Sequence, residues 1–171
     1  MKFLKIAIFF ISLTSFAQSK VGAADIEYIL SKMPEFTEAQ SIVDTYGQQL
    51  NVDLNKKVKE YQKLAEEYKT NEATFTPEEK NVKQTAIRAL DADIQKFQQN
   101  GVKMIEIKNE EAFKPLYRKI GEALEKVAKE QNYTQVSIIT PDLVFLDPQF
   151  DLTNSILTEI GISISEDEKR K

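Results

Sequence analysis

The stretch Asn71-Glu72-Ala73-Thr74-Phe75-Thr76-Pro77-Glu78-Glu79 reverses the chain. Thr76 is a helix N-cap residue, Pro77 suits the first turn, where no amide donor is needed, and Glu79 can reach back to the Thr76 amide. A new helix therefore starts at this point. Because the residues before Asn71 also have helical composition, the two runs are expected to fold back on each other as a hairpin.

Outward from the turn, Phe36 to Lys69 and Glu78 to Gln131 are dense in Glu, Gln, Lys and Ala, and Pro115 is their only proline. These are strong helix formers. In the first run Ala39, Val43, Tyr46, Leu50, Leu54, Val58, Tyr61, Ala65 and Tyr68 follow steps of three and four. In the second, Val82, Ala86, Leu90, Ile94 and Phe97 lead through Gly101 to Met104, Lys108, Ala112, Leu116, Ile120, Leu124 and Val127, with Lys108 the one polar break. So narrow a stripe reads as a coiled-coil seam, not as the face of a globular core. Steps of four dominate the second stripe, which predicts a period nearer 3.67 than 3.5 and little or right-handed supercoil. At ~1.5 Å per residue the first run makes an arm on the order of 50 Å. Glu79/Lys83, Glu110/Lys114, Glu122/Lys126 and Glu125/Lys129 have the favoured i,i+4 order and solvate the outer faces.

Beyond the hairpin the patterns shorten. Lys20-Val21-Gly22-Ala23-Ala24 is a strand candidate, and Asp25 can cap a brief helix that runs to Lys32 and stops at Pro34. After the second long helix, Gln135 to Ile139 and Leu143 to Leu146 read as two strands joined by a turn at Thr140-Pro141-Asp142. Asp147-Pro148 breaks the pattern, Thr153 to Ile160 suits a short helix, and Glu166 to Lys171 is a solvated charge run. Short strands are unstable alone, so the two ends of the chain should meet as one small head. The fold class is thus α+β and mostly helical: a hairpin arm over 36–131 on a small β-sheet head made of 18–35 and 132–165. Such a head has little to bury. Association of copies through strand residues Val21, Val136, Ile138, Val144 and Leu146 would supply the missing burial and cover strand edges.

The first residues, MKFLKIAIFFISLTSFAQ, place Lys2 and Lys5 before an apolar run and small residues Ser15 and Ala17 before Gln18. This is the pattern of a secretory signal peptide, with cleavage expected after Ala17 and export to the periplasm. The run of roughly 12 apolar residues falls short of the ~20 needed to span a bilayer. The tail 166–171 is counted apart from the head. Of 23 Lys and Arg against 27 Asp and Glu, residues 1–17 hold two lysines and no acid, so the mature chain is acidic, with net charge −6. It has no basic block to neutralise phosphates, so nucleic acid is not an expected partner. There is no Cys, and hence no disulfide and no thiolate metal site.

Catalytic chemistry has little to stand on. The sequence lacks His, Cys and Trp, shows no Gly-rich phosphate loop, and its adjacent acids Glu66/Glu67, Glu78/Glu79 and Glu110/Glu111 point to different helix faces. The expectation is a non-enzyme with no catalytic residue, metal or cofactor. Asn132-Tyr133-Thr134 matches a glycosylation sequon but is read as the exit of the helix into a strand.

Four segments in order resemble the Skp, or OmpH-like, family of periplasmic chaperones: KVGAADIEYILSKMPE (20–35), the charged hairpin, KPLYRKIGEALEKVAKEQNYTQVSI (114–138) and LVFLDPQFDLTNSIL (143–157). The resemblance implies a homotrimer with a shared β-sheet body and helical arms. Unfolded outer-membrane proteins would be held between the arms without ATP. Familiar members of that family are strongly basic and this chain is acidic, so apolar and hydrogen-bond contacts would carry relatively more of the binding here, and contact with a lipid surface is left open.

Within that frame Phe75 at the turn, with Tyr68 and Tyr61 on the stripe, are the candidate client contacts. A second set concerns motion. If the hairpin turns about Thr74, positions whose numbers sum to about 148 lie level, as Gly47 and Gly101 do and Pro34 and Pro115 nearly do. Helix breakers would then coincide at a soft joint and at a fixed bend. The alternative function is a periplasmic scaffold or adaptor whose arms recognise one folded partner.

Overall fold

The computed structural model describes residues 19–163. The signal-peptide reading of residues 1–17 and the charged run 166–171 lie outside the described residues. Elements follow in the order β1 (Val21–Ala24), α1 (Ile26–Lys32), α2 (Phe36–Asn71), α3 (Pro77–Glu130), β2 (Gln135–Ile138) and α4 (Thr153–Ile160), with short 3-10 turns at Glu72–Thr74 and Pro148–Phe150. The chain divides into two units, 33–118 and the described remainder, 19–32 with 119–163; α3 has residues in both.

In the 33–118 unit, α2 and α3 are joined by the expected reversal. The capping box is complete: the Thr76 amide donates to Glu79 Oε2 at 2.8 Å and the Glu79 amide to Thr76 Oγ1 at 3.2 Å. All nine apolar stripe positions read from the first run are shielded in α2. The buried apolar residues of the unit are Met33, Ala39, Val43, Ile94, Phe113 and Leu116. Phe36 meets Phe113 edge-on with ring centroids 5.6 Å apart.

The stripe of α3 needs a correction at its start. Val82 is 68 % exposed and Ala86 is exposed, while Lys83 and Ile87 turn inward. From Lys83 to Lys108 the shielded positions advance by 4, 3, 4, 3, 4, 3 and 4 residues, and every position between them is exposed. That is a heptad rhythm, so the expected 3.67 period does not hold over this stretch. The stripe was displaced because Val82 is apolar and Lys83 is not, and a step of four from Val82 then falls on Ala86 instead of Ile87. The inward position at 83 is filled by a lysine whose ammonium pairs with Glu67 across the hairpin at 3.0 Å.

In the other unit, β1 and β2 pair in parallel, Val21 opposite Gln135 and Ala24 opposite Ile138. The third strand expected at Leu143–Leu146 is absent. β1 is occupied on both edges: β2 takes one, and on the other Ala23 bridges Asp151 while the Leu152 amide donates to the Ala23 carbonyl at 2.8 Å. The chain leaving β2 must therefore cross to the far side of β1 by Asp151, and 143–146 are spent on the crossing. The turn before them forms as read, with the Leu143 amide donating to the Thr140 carbonyl at 3.0 Å.

The core of this unit is built from Ala23, Ala24, Ile29, Leu30, Ile120, Ala123, Val127, Leu152, Ile156 and Leu157. The exit of α3 is a Schellman ending. Asn132 takes φ 58°, the Tyr133 amide donates to the Ala128 carbonyl at 2.8 Å, and the Asn132 amide to the Lys129 carbonyl at 3.2 Å. Tyr133 is then buried and its hydroxyl donates to the Gln149 carbonyl at 2.8 Å. Lys20 caps the same helix end, donating from Nζ to the Gln131 carbonyl at 2.9 Å.

Candidate functional site

At the hairpin turn a small polar-aromatic cluster closes the tip. Phe75 lies tilted against Tyr68 at 6.0 Å, and Lys83 Nζ sits 4.9 Å from the Phe75 ring centre. Tyr68 Oη accepts from Gln84 Nε2 at 2.6 Å and donates to Glu72 Oε1 at 3.3 Å. Phe75 is thus half-buried. The flanking helices supply the wall because Lys83 and Tyr68 both face inward. The hydrogen bond from the Thr76 amide, with the Thr76 hydroxyl and nearby Lys83 adding to it, holds the Glu79 carboxyl below its ordinary range.

Further along the hairpin, charge is satisfied across the seam. Lys57 Nζ donates to Asp93 at 2.6 Å and lies 5.6 Å from the Phe97 ring, and that hydrogen bond raises the Lys57 ammonium above its ordinary value. Lys108, the polar break in the stripe, lies 5.8 Å from the Tyr46 ring and pairs with Glu111 at 3.5 Å. Its charge is therefore met by an aromatic face on the seam and by a carboxylate. Tyr61 is half-buried on the α2 stripe.

The proposed joint residues are helical at Gly47, Gly101 and Pro115, while Pro34 lies in the turn before α2. A Cβ on Gly47 would find Ile105 Cδ1 at 3.9 Å, ordinary contact, and one on Gly101 would find nothing within 4 Å. A side chain of one carbon would therefore fit at both positions.

The exposed large apolar side chains of this unit are Ile42, Val52, Val82, Val102, Ile105, Ile107 and Tyr117. None but Val82 belongs to the stripe read from sequence. Their signal was their position: apolar residues off the seam of a coiled coil, where charge is the usual choice.

In the unit containing the sheet, Val21, Ile138 and Val144 are exposed, Val144 at 98 %, while Val136 and Leu146 are half-buried. The sequence reading missed Phe145, exposed at 79 %, and Leu143. These residues belong to the crossing segment, which with Ile139, Pro148 and Asp151 lines an open cleft of about 290 Å³. Among the described residues no helix is long and apolar enough to cross a membrane.

Comparison with known proteins gives a family and a fold. The family model OmpH, described as "Outer membrane protein (OmpH-like)", matches residues 20–160. No curated protein matches this chain. A crystal structure from Caulobacter crescentus CB15, designated a candidate OmpH-like outer membrane chaperone, is similar with a TM-score of 0.67. It shares 14 % identity, over 91 % of this chain and 93 % of that one, a likeness of fold alone.

Proposed function

The chain belongs to the OmpH-like family, with the general role of a chaperone, and from that premise we propose that it is an ATP-independent holdase of the periplasm. It takes up unfolded outer-membrane proteins between the helical arms of several copies and keeps them from aggregating. Residues 1–17 direct export and are removed.

The observation that carries this reading is the group of aliphatic side chains left in solvent along the α2–α3 hairpin, at Ile42, Val52, Val102, Ile105 and Ile107. A strand destined for a membrane barrel alternates apolar and polar side chains and aggregates when left in water. Many weak apolar contacts on a long helical surface hold such a chain without burying it irreversibly. Release needs no hydrolysis if the next binding partner offers a lower free energy. Phe75, Tyr68 and Tyr61, each half-buried, are proposed as further contacts.

Copies associate through the sheet-bearing unit, as a trimer by analogy with the family. Val144 and Phe145 in solvent, beside a two-stranded sheet, favour this, because an exposed apolar segment next to a strand edge pairs with another chain unless covered.

The test is light scattering of a urea-unfolded porin diluted with and without this protein. Suppression across several unrelated porins is the expected result. Binding restricted to one folded target would favour an adaptor and reject the holdase.

A further inference from the structure

Charge and apolar surface are distributed unevenly along the hairpin. Lys56–Lys69 carries a charge at eight of its fourteen positions, whereas Gln40–Asn55 carries two in sixteen, Asp44 and Asp53. On the facing helix, Gln95–Asn109 carries four in fifteen, and the two stretches together hold ten Gln and Asn. They lie side by side: Phe36 meets Phe113 beyond one end, Ile105 lies against Gly47 within, and Lys57 reaches Asp93 beyond the other end. Of the seven exposed large apolar side chains in the 33–118 unit, five fall in this belt, at Ile42, Val52, Val102, Ile105 and Ile107. The more distal part, 56–94, has only Val82.

Resting on the holdase reading, we infer that this amide-rich, charge-poor belt, and not the tip, is the principal client-binding surface, and that it selects uncharged extended segments of alternating apolar and polar side chains. The charge match is the reason. Asp44, Asp53 and Glu106 are balanced by Lys96, Lys103 and Lys108, so a neutral strand docking here meets no net field and strips few ions of water. In the distal part every docked segment would displace water from charged groups.

Aliphatic groups of the belt cover the lipid-facing side chains of such a segment, and the Gln and Asn amides can donate to and accept from its polar ones. Gly47 and Gly101 place no side chain of their own beside Ile105 and Val102, which leaves that flank of both aliphatic groups open to a client.

The experiment titrates the full-length protein with a urea-unfolded, fluorescently labelled porin on dilution. It compares wild type, Val102→Gln/Ile105→Gln, and Val82→Gln, with circular dichroism on each. Affinity should fall about tenfold in the double variant, a loss expected when two partly exposed aliphatic contacts are replaced by amides, and stay unchanged for Val82→Gln. If the double variant loses helicity, Ile42→Gln alone, on the opposite helix, decides in its place with the same expectation. Wild-type affinity in the belt variant, or an equal loss at Val82→Gln, overturns the belt and leaves the holdase reading standing. Failure of the wild type to bind removes both.

Discussion

Gly22 lies so close to Leu152 that a Cβ on it would stand 2.2 Å from Leu152 Cδ1 and 2.9 Å from two ring carbons of Tyr133. The reason is that the side chains of Leu152 and Tyr133 pack over the face of β1 at this residue, in the space a Cβ would take. Only a residue without a side chain fits beneath them.

Gly22→Ala should therefore destabilise the unit by about 1–3 kcal/mol, the range for overpacking a well-filled core. A thermal melt followed by circular dichroism checks it. An unchanged midpoint would mean that β1 does not sit against Leu152 as described.

The start of α3 depends on Thr76 and Glu79. Thr76→Ala should cost about 1 kcal/mol of local stability through loss of the N-cap, read as faster hydrogen exchange at the tip. The same cap has a pH dependence of defined sign. The Glu79 carboxyl is depressed in the folded state, so its contribution is present above the unfolded-state value and is lost as pH falls through the folded one. A carboxyl NMR titration should give Glu79 a midpoint below that of an ordinary glutamate. An ordinary midpoint would count against the reciprocal cap.

Lys57 behaves in the opposite sense. Its hydrogen bond to Asp93 raises the folded-state value, so the bridge contributes fully below the unfolded value and is lost as pH rises through the folded one. Lys57→Met should remove this alkaline loss of stability and leave the neutral-pH helix content unchanged. The check is denaturant melts of wild type and variant across the alkaline range.

Gly47→Ala with Gly101→Ala should stabilise the hairpin, because alanine fits both positions without overlap and each glycine costs roughly 0.5–1 kcal/mol in a helix. If the glycines form a soft joint, hydrogen exchange in that layer should slow more than elsewhere in α2 and α3. Uniform slowing would argue for propensity alone and against a joint.

Val144→Ser with Phe145→Ser should lower the solution mass, measured by light scattering after gel filtration, toward that of a single chain while helicity persists. Val144 is almost wholly and Phe145 largely in solvent, so their replacement costs the isolated chain little. An unchanged mass would place the interface between copies elsewhere.

Local chemistry made much of the fold legible. The Thr76-Pro77-Glu79 start signal, the nine inward positions of α2 and the Thr153–Ile160 helix were readable because capping and helical periodicity involve neighbours within a few residues. Periodicity misled at Val82 because a reading by apolar residue type passes over a lysine that faces inward to a partner carboxylate, and the next step of four carried the error to Ala86, past Ile87. The candidate contact surface was the least legible part, since Ile42, Val102 and Ile105 lie off the stripe and gain meaning only from the exposure of their faces.

The sequence by itself determined the chain reversal at Thr76–Glu79, the α2 side of the seam and the helix ends, all of which follow from capping and periodicity among residues close along the chain. Tertiary structure alone decided that Asp151 takes the second edge of β1, which turned Leu143–Leu146 from a strand into a crossing and left Val144 and Phe145 in solvent. It likewise sent Lys83 to Glu67 and Lys126 to Glu159. A strand edge or a charge accepts whichever partner the folded chain brings within reach, and sequence spacing does not record that competition.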